Sequence, residues 1–89
     1  MTQIWKYPIE ISDVQHVTMP PGAVVLSVQM QHGRPCIWAE VDSDTTEQEL
    51  RRFVMYGTGQ SMRQDHGRFI GTFQTNAGAF VFHLYERKR

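Results

Sequence analysis

The sequence predicts an all-β domain: a small antiparallel β-sandwich or partly open barrel of about seven strands, with at most one short helix. Three observations predict it. Residues 23–42, AVVLSVQMQHGRPCIWAEVD, alternate with a period of two on either side of His32-Gly33. Turn and breaker signals recur along the chain, at Pro8, Ser12-Asp13, Pro20-Pro21-Gly22, Gly57-Thr58-Gly59 and Asn76-Ala77-Gly78. Only Ser43 to Leu50 has a helical outline.

Gln3 to Tyr7 is a strand rich in the β-favouring Ile, Trp and Tyr. Pro8 ends it or places it at a sheet edge, because proline has no N–H to give to a ladder. Ile9 and Ile11 continue an extended pattern, and Ser12-Asp13 turns the chain into a short strand, Val14 to Met19. Pro20-Pro21-Gly22 then sets up a β-hairpin over 23–42. In its first strand Val24, Leu26, Val28 and Met30 form the apolar face, opposite Val25, Ser27, Gln29 and Gln31. In its second, Ile37, Ala39 and Val41 oppose Cys36, Trp38 and Glu40. His32-Gly33 suits the reversal because glycine reaches positive φ without a Cβ clash.

Ser43 to Leu50 is expected to make one or two helical turns, with Asp44 as cap and Glu47 reaching back. Its acids and the following Arg51-Arg52 suit a helix dipole. Arg51 to Tyr56 resumes as a strand and Gly57 to Gln60 breaks it. Ser61 to Gly67 is polar and forms the longest exposed loop. Arg68 to Thr75 is a strand with Phe69, Gly71 and Phe73 on one face. Asn76-Ala77-Gly78 makes a hairpin loop. Ala79 to Glu86 is the last strand, with Phe80, Phe82 and Leu84 on one face and Val81, His83 and Tyr85 on the other. Residues 87–89, Arg-Lys-Arg, are expected to be a frayed basic tail.

Eighty-nine residues make a single domain, 1–89, with 40% apolar and 20% charged side chains. A chain this short buries a modest share of its surface, and a homodimer would cover its edge strands. Zero formal net charge gives no general drive toward nucleic acid or an anionic membrane. The charge is unevenly placed, however. Residues 1–50 carry two basic and seven acidic side chains, and 51–89 carry seven basic and two acidic. The halves either interleave and neutralise each other or leave a basic face able to hold an anion or stack head to tail. A single cysteine, Cys36, has no internal disulfide partner, which fits a reducing compartment. Lys6, Pro8 and Glu10 interrupt any signal-like apolar run, and no stretch has transmembrane length. A cytoplasmic location is expected, with no membrane partner.

Gly57-Thr58-Gly59-Gln60-Ser61 is the most suggestive loop for chemistry. Successive backbone N–H groups in a glycine-rich turn can make an anion nest, with Arg63 and Arg68 adding charge. It lacks the GK[ST] of a Walker loop, and a strand-ending turn is the plainer reading. Trp38 is a candidate aromatic platform, since it faces away from Ile37, Ala39 and Val41. A binding surface over Gly57, Thr58, Gly59, Gln60, Ser61, Arg63, Arg68 and Trp38 is therefore expected. His16, His32, His66 and His83 have no metal-ligand spacing, so no metal or cofactor is expected. Cys36 reads as structural, and Ser61, Asp65 and His66 crowd one loop instead of spreading over a scaffold as a triad does. No catalytic residue is assigned.

Ile4-Trp5-Lys6-Tyr7-Pro8, Met19-Pro20, Gly22-Ala23, Pro35-Cys36-Ile37-Trp38-Ala39, Gly57-Thr58-Gly59 and Ile70-Gly71-Thr72-Phe73-Gln74 resemble a family of small tailed-phage and prophage proteins of unknown function. The resemblance spans nearly the whole chain. It implies a phage origin and no particular chemistry. It also implies a histidine after the GTG, where this chain has Gln60, so that position is not an essential histidine.

The expected function is that of a non-enzymatic phage or prophage accessory protein. It would act in the host-cell cytoplasm by binding a host protein or a small anionic ligand. Variants are a nucleotide-signal sponge and a host-defence antagonist. The alternatives are a single-stranded nucleic-acid-binding β-barrel module, with Trp38 stacking bases, and a structural phage protein that self-assembles.

Overall fold

The computed structural model describes residues 1–87, which form seven strands. They are β1 (Thr2–Pro8), β2 (Val14–Met19), β3 (Val24–Gln31), β4 (Arg34–Asp42), β5 (Glu49–Gly57), β6 (Arg68–Thr75) and β7 (Phe80–Arg87). Two open antiparallel sheets, ordered β1-β4-β3 and β2-β5-β7-β6, face each other as a sandwich. Ile37, Ala39 and Val41 of one sheet meet Phe53, Met55, Phe73 and Leu84 of the other in the core. Burial of these two apolar faces is the main force holding the sheets together.

The central hairpin forms as the sequence predicts. His32 (φ 51°) and Gly33 (φ 78°) are both left-handed, which matches the twist of a two-residue hairpin. β4 turns Ile37, Ala39 and Val41 inward, each at most 2% exposed. β3 departs from its expected face. Its register against β4 shifts between Val25 and Ser27, so Leu26 is bulged. Val25 and Val28 point to the core, while Val24 and Leu26 are about half exposed. One extra residue moves the rest of a strand by half a period, which a strict alternation cannot register.

β6 repeats this device. Its register shifts between Phe69 and Gly71. Gly71 and Phe73 face inward as expected, but Phe69 stays outside against Tyr85, ring centroids 5.3 Å apart. The two bulged edge strands approach each other across the sandwich. A Cβ on Gly71 would stand 3.0 Å from Val28 Cγ1. Bulges at both edges keep β3 and β6 from zipping into a closed barrel.

Ser43 to Leu50 is not helical. Ser43-Asp44 turns, and β5 begins at Glu49. One isolated helical turn is costly to nucleate, and Asp44, the expected cap, has other partners. The Asp44 carboxylate takes a hydrogen bond from the Met1 amino group, and the Asp44 N–H donates to Asp42 Oδ1 at 3.0 Å. Arg51 and Arg52 are therefore strand residues, not helix-end charges. Phe80 shares the face of Phe82 and Leu84 as expected, but at the start of β7 it lies beyond the core and is mostly exposed. Of the expected basic tail, Arg87 is the last residue of β7; Lys88 and Arg89 lie outside the described residues.

β5 and β6 both run antiparallel to β7, one on each side of it. Residues 58–67 must therefore carry the chain from one end of the sheet to the other across the outside of β7. This strap is tied down at its far end. The His66 ring meets Tyr85 edge-on at 4.8 Å. Asp65 accepts from Arg63 Nε at 2.9 Å and from Arg87 Nη2 at 2.6 Å. Val54 and Tyr56 face away from the core beside Tyr85, yet both are buried.

Candidate functional site

The residues expected to form one binding surface lie in separate places. Gly57 to Ser61 occupy one end of the sandwich, and the turn satisfies itself. The Gly57 N–H donates to Gln60 Oε1 at 2.9 Å, and the Gln60 N–H to the Gly57 carbonyl at 3.0 Å. The Thr58 N–H donates to the Val81 carbonyl at 3.2 Å. Thr58 Oγ1 meets His83 Nε2 at 2.8 Å, and Thr72 Oγ1 meets the other ring nitrogen at 2.9 Å. Three N–H groups that an anion nest would use are thus engaged. Arg63, in the strap, pairs with Asp65. Trp38 is half-buried on the outer face of the other sheet, in register with Lys6 and Ser27, and so on the opposite side of the sandwich from the strap. Arg68 stands at the start of β6, at the end remote from the glycine turn.

At that remote end the strand termini converge. Glu49 to Arg52 open β5, Arg68 opens β6, and Glu86 and Arg87 close β7. They line an open cleft of about 600 Å³. Arg51 precedes the inward-facing Phe53 by two residues, and Glu86 pairs with Phe53 across the ladder. Strand alternation therefore puts Arg51 and Glu86 on the inner face, at the mouth of the core. Arg51 forks onto Glu86 through Nε and Nη2, the latter at 3.0 Å from Oε1, and its Nη1 donates to the Ala23 carbonyl at 2.9 Å. Glu49 stands 3.6 Å away. The hydrogen bond that Arg51 donates to Glu86 raises the Arg51 pKa above its ordinary value, against the opposing effect of burial.

Arg51 thus engages all three of its side-chain nitrogens, and it ties the two sheets together. The other three guanidiniums engage one nitrogen each. Arg68 donates through Nη2 to the Val25 carbonyl at 2.9 Å, on the edge of β3. Arg52 makes only a long contact, 3.4 Å, to His16 Nε2. Arg87 gives Nη2 to Asp65, while its shielded Nε has no hydrogen-bond partner among the described residues. Asp65, held mainly by its hydrogen bonds from Arg63, has its pKa lowered to about 2. Four guanidiniums against Glu49 and Glu86 leave the cleft lining with a net charge of +2.

Of these residues only Arg68 stood out in the sequence. Arg51, Arg52, Glu86 and Arg87 were visible as members of the basic second half, but nothing in their spacing put them at one end of a sandwich. No group of metal-ligating side chains occurs among the described residues. Cys36 is buried, its thiol directed at the Arg34 carbonyl at 3.6 Å.

No curated protein and no solved structure matches the chain. A family model described as a domain of unknown function, DUF7352, matches residues 1–89. The chain, over its whole length, belongs to the DUF7352 family.

Proposed function

We propose that this protein is a non-enzymatic binding module that takes an anionic group, presented by a small ligand or a host protein, into the arginine cleft. The observation that carries this reading is the surplus of guanidinium donors there. Arg68 on the inner face and Arg52 on the outer side of β5 hold N–H groups beyond those their protein partners use, whereas three N–H groups of the glycine-rich turn are engaged within the protein. Guanidinium forks match carboxylate and phosphate oxygens, and charge-assisted hydrogen bonds of this kind are roughly twice as strong as neutral ones. A partly enclosed wall weakens the competition from water. The resemblance to tailed-phage and prophage proteins supports an infected host cell as the setting. There the module would sequester an anionic signal or block a host protein.

Backbone amide NMR during titration with sodium phosphate and with sodium acetate tests the reading. Saturable shifts are expected at Leu50, Arg52, Arg68 and Arg87. Shifts confined to Gly59 to Ser61, or none at all, would sink it.

A further inference from the structure

We infer that the outer face of the β1-β4-β3 sheet is an interface with a second copy of this chain, packed face to face about a two-fold axis that crosses the strands at Trp38. The inference is independent of the arginine cleft, which opens among the ends of β5, β6 and β7.

Register defines that face. Ile4, Glu40 and Val24 form one row across β1, β4 and β3, and Lys6, Trp38 and Ser27 form the next outward row. The alternate residues Trp5, Ala39 and Val25 turn to the core. Leu26, freed from the ladder by the bulge, is exposed beside these rows. Ile4 is 61% exposed, Val24 49% and Leu26 47%, with Trp38 half-buried among them. They make an apolar patch on a domain of only 89 residues, the kind of surface that marks an interaction site. The other sheet solves the same problem within the chain. On its outer face Val54 and Tyr56 are buried, where the strap of residues 58–67 crosses. Ile4, Val24 and Leu26 have no such cover among the described residues.

Charge names the occupant. Towards one end of the face β4 carries Glu40 and Asp42, and towards the other end stand Lys6 and Arg34. Glu40, flanked by Ile4 and Val24, is exposed and makes no ion pair among the described residues. Lys6 Nζ donates to Gln31 Oε1 at 2.7 Å, and Gln31 lies opposite Arg34, so the ammonium is carried away from Glu40. The face therefore has an acidic end, an apolar middle and a basic end.

A two-fold axis across the strands at Trp38 turns the second copy end for end. It sets the acidic end of each copy over the basic end of the other. Trp38 and Leu26, near the axis, meet their own counterparts, and Ile4 falls over Pro8, two residues to the other side of the Trp38 row. Two-fold contacts demand this match of a patch with itself, whereas an unrelated partner would not. Burial of the apolar middle drives the association, and the charged ends set its orientation.

Sedimentation velocity of the full chain, from about 5 to about 200 µM, tests this, and a dimer should form over that range. Leu26→Arg sets two guanidiniums against each other near the axis and should leave a monomer throughout. Glu40→Lys and Lys6→Glu should each weaken the dimer by about ten-fold or more, and the two together should restore most of the lost affinity. All three side chains are exposed, so these variants leave the core intact. A wild-type chain that stays monomeric at every concentration would overturn the interface and leave the face to another partner or to solvent. A dimer that Leu26→Arg and Glu40→Lys both leave intact would overturn it by placing the contact elsewhere. A double charge swap no better than either single one would overturn the two-fold arrangement. None of these results bears on the arginine cleft, which the amide titration tests separately.

Discussion

At one end of the sandwich, residues 57–60 turn three N–H groups back onto the chain, and Thr58 is held by His83. At the other end, Arg52 and Arg68 hold donors that no group among the described residues takes up. The first end looks like a binding motif in the sequence, and the second does not. The difference lies in what the neighbouring strands offer. Next to the glycine turn, β7 supplies a carbonyl and a histidine, which complete it as a structural joint. At the arginine end only Arg51 finds an acceptor for each of its three side-chain nitrogens among the described residues. A cluster of donors makes a site only where the fold leaves some of them over, and that is settled by tertiary neighbours.

The strap of residues 58–67 connects the two ends, and breaking it is the harshest test of the contrast. Gly67 has φ +91°, and a Cβ there would lie 2.2 Å from the Glu86 carbonyl oxygen. Gly67→Ala must therefore lift the strap off β7 or displace Glu86. A loss of about 4 kcal/mol is expected, with the cleft disrupted as well. Chemical denaturation measures it, and a wild-type midpoint would show that the strap does not bear on β7.

Glu86→Gln should rank second. It leaves the Arg51 guanidinium largely buried without its countercharge, at a cost of about 3 kcal/mol. For a domain of this size that is a fall of roughly 12–24 °C in melting temperature, readable by calorimetry. A shift of only a degree or two would mean that the fork is solvated and that Arg51 is free to serve as a ligand group.

Thr58→Val removes the hydroxyl that meets His83 and should cost about 1 kcal/mol in stability. Its amide-shift response to sodium phosphate at the arginine end should be unchanged. Weakened binding in this variant would reverse the comparison and return the glycine turn to the site.

Acid should have the smallest effect, confined to the strap. Asp65 has its pKa lowered to about 2, chiefly by its hydrogen bonds from Arg63. A carboxylate lowered in the folded state stabilises fully above its unfolded pKa, roughly pH 4 for aspartate, and progressively less below it. The Arg63–Asp65–Arg87 tie should thus hold at about pH 4 and fail as pH falls through about 2. The His66 and Tyr85 ring resonances, followed by NMR, report it. Loss of the tie at pH 5 would show that the arginines do not hold Asp65.

Much of the fold was legible in the residues. Period-two alternation located the hairpin, its faces on β4 and the His32-Gly33 reversal, because these depend on neighbours one or two positions away. The breakers bounded β2 and β6 to the residue for the same reason. Two bulges were not legible. Leu26 and Ile70 leave their ladders because β3 and β6 are edges that meet each other, a relation between residues more than forty positions apart. The helix expected at Ser43 to Leu50 failed likewise, since the expected cap, Asp44, gives its carboxylate to the Met1 amino group and its N–H to Asp42. The charge split between the halves was plain in the sequence, but the cleft was not. By itself the sequence determined seven strands, their turns and a basic second half, since those are local properties of residue type. Only the tertiary structure decided which arginine is spent on Glu86 and which keep unpaired donors among the described residues, because that follows from where β5, β6 and β7 begin and end in space.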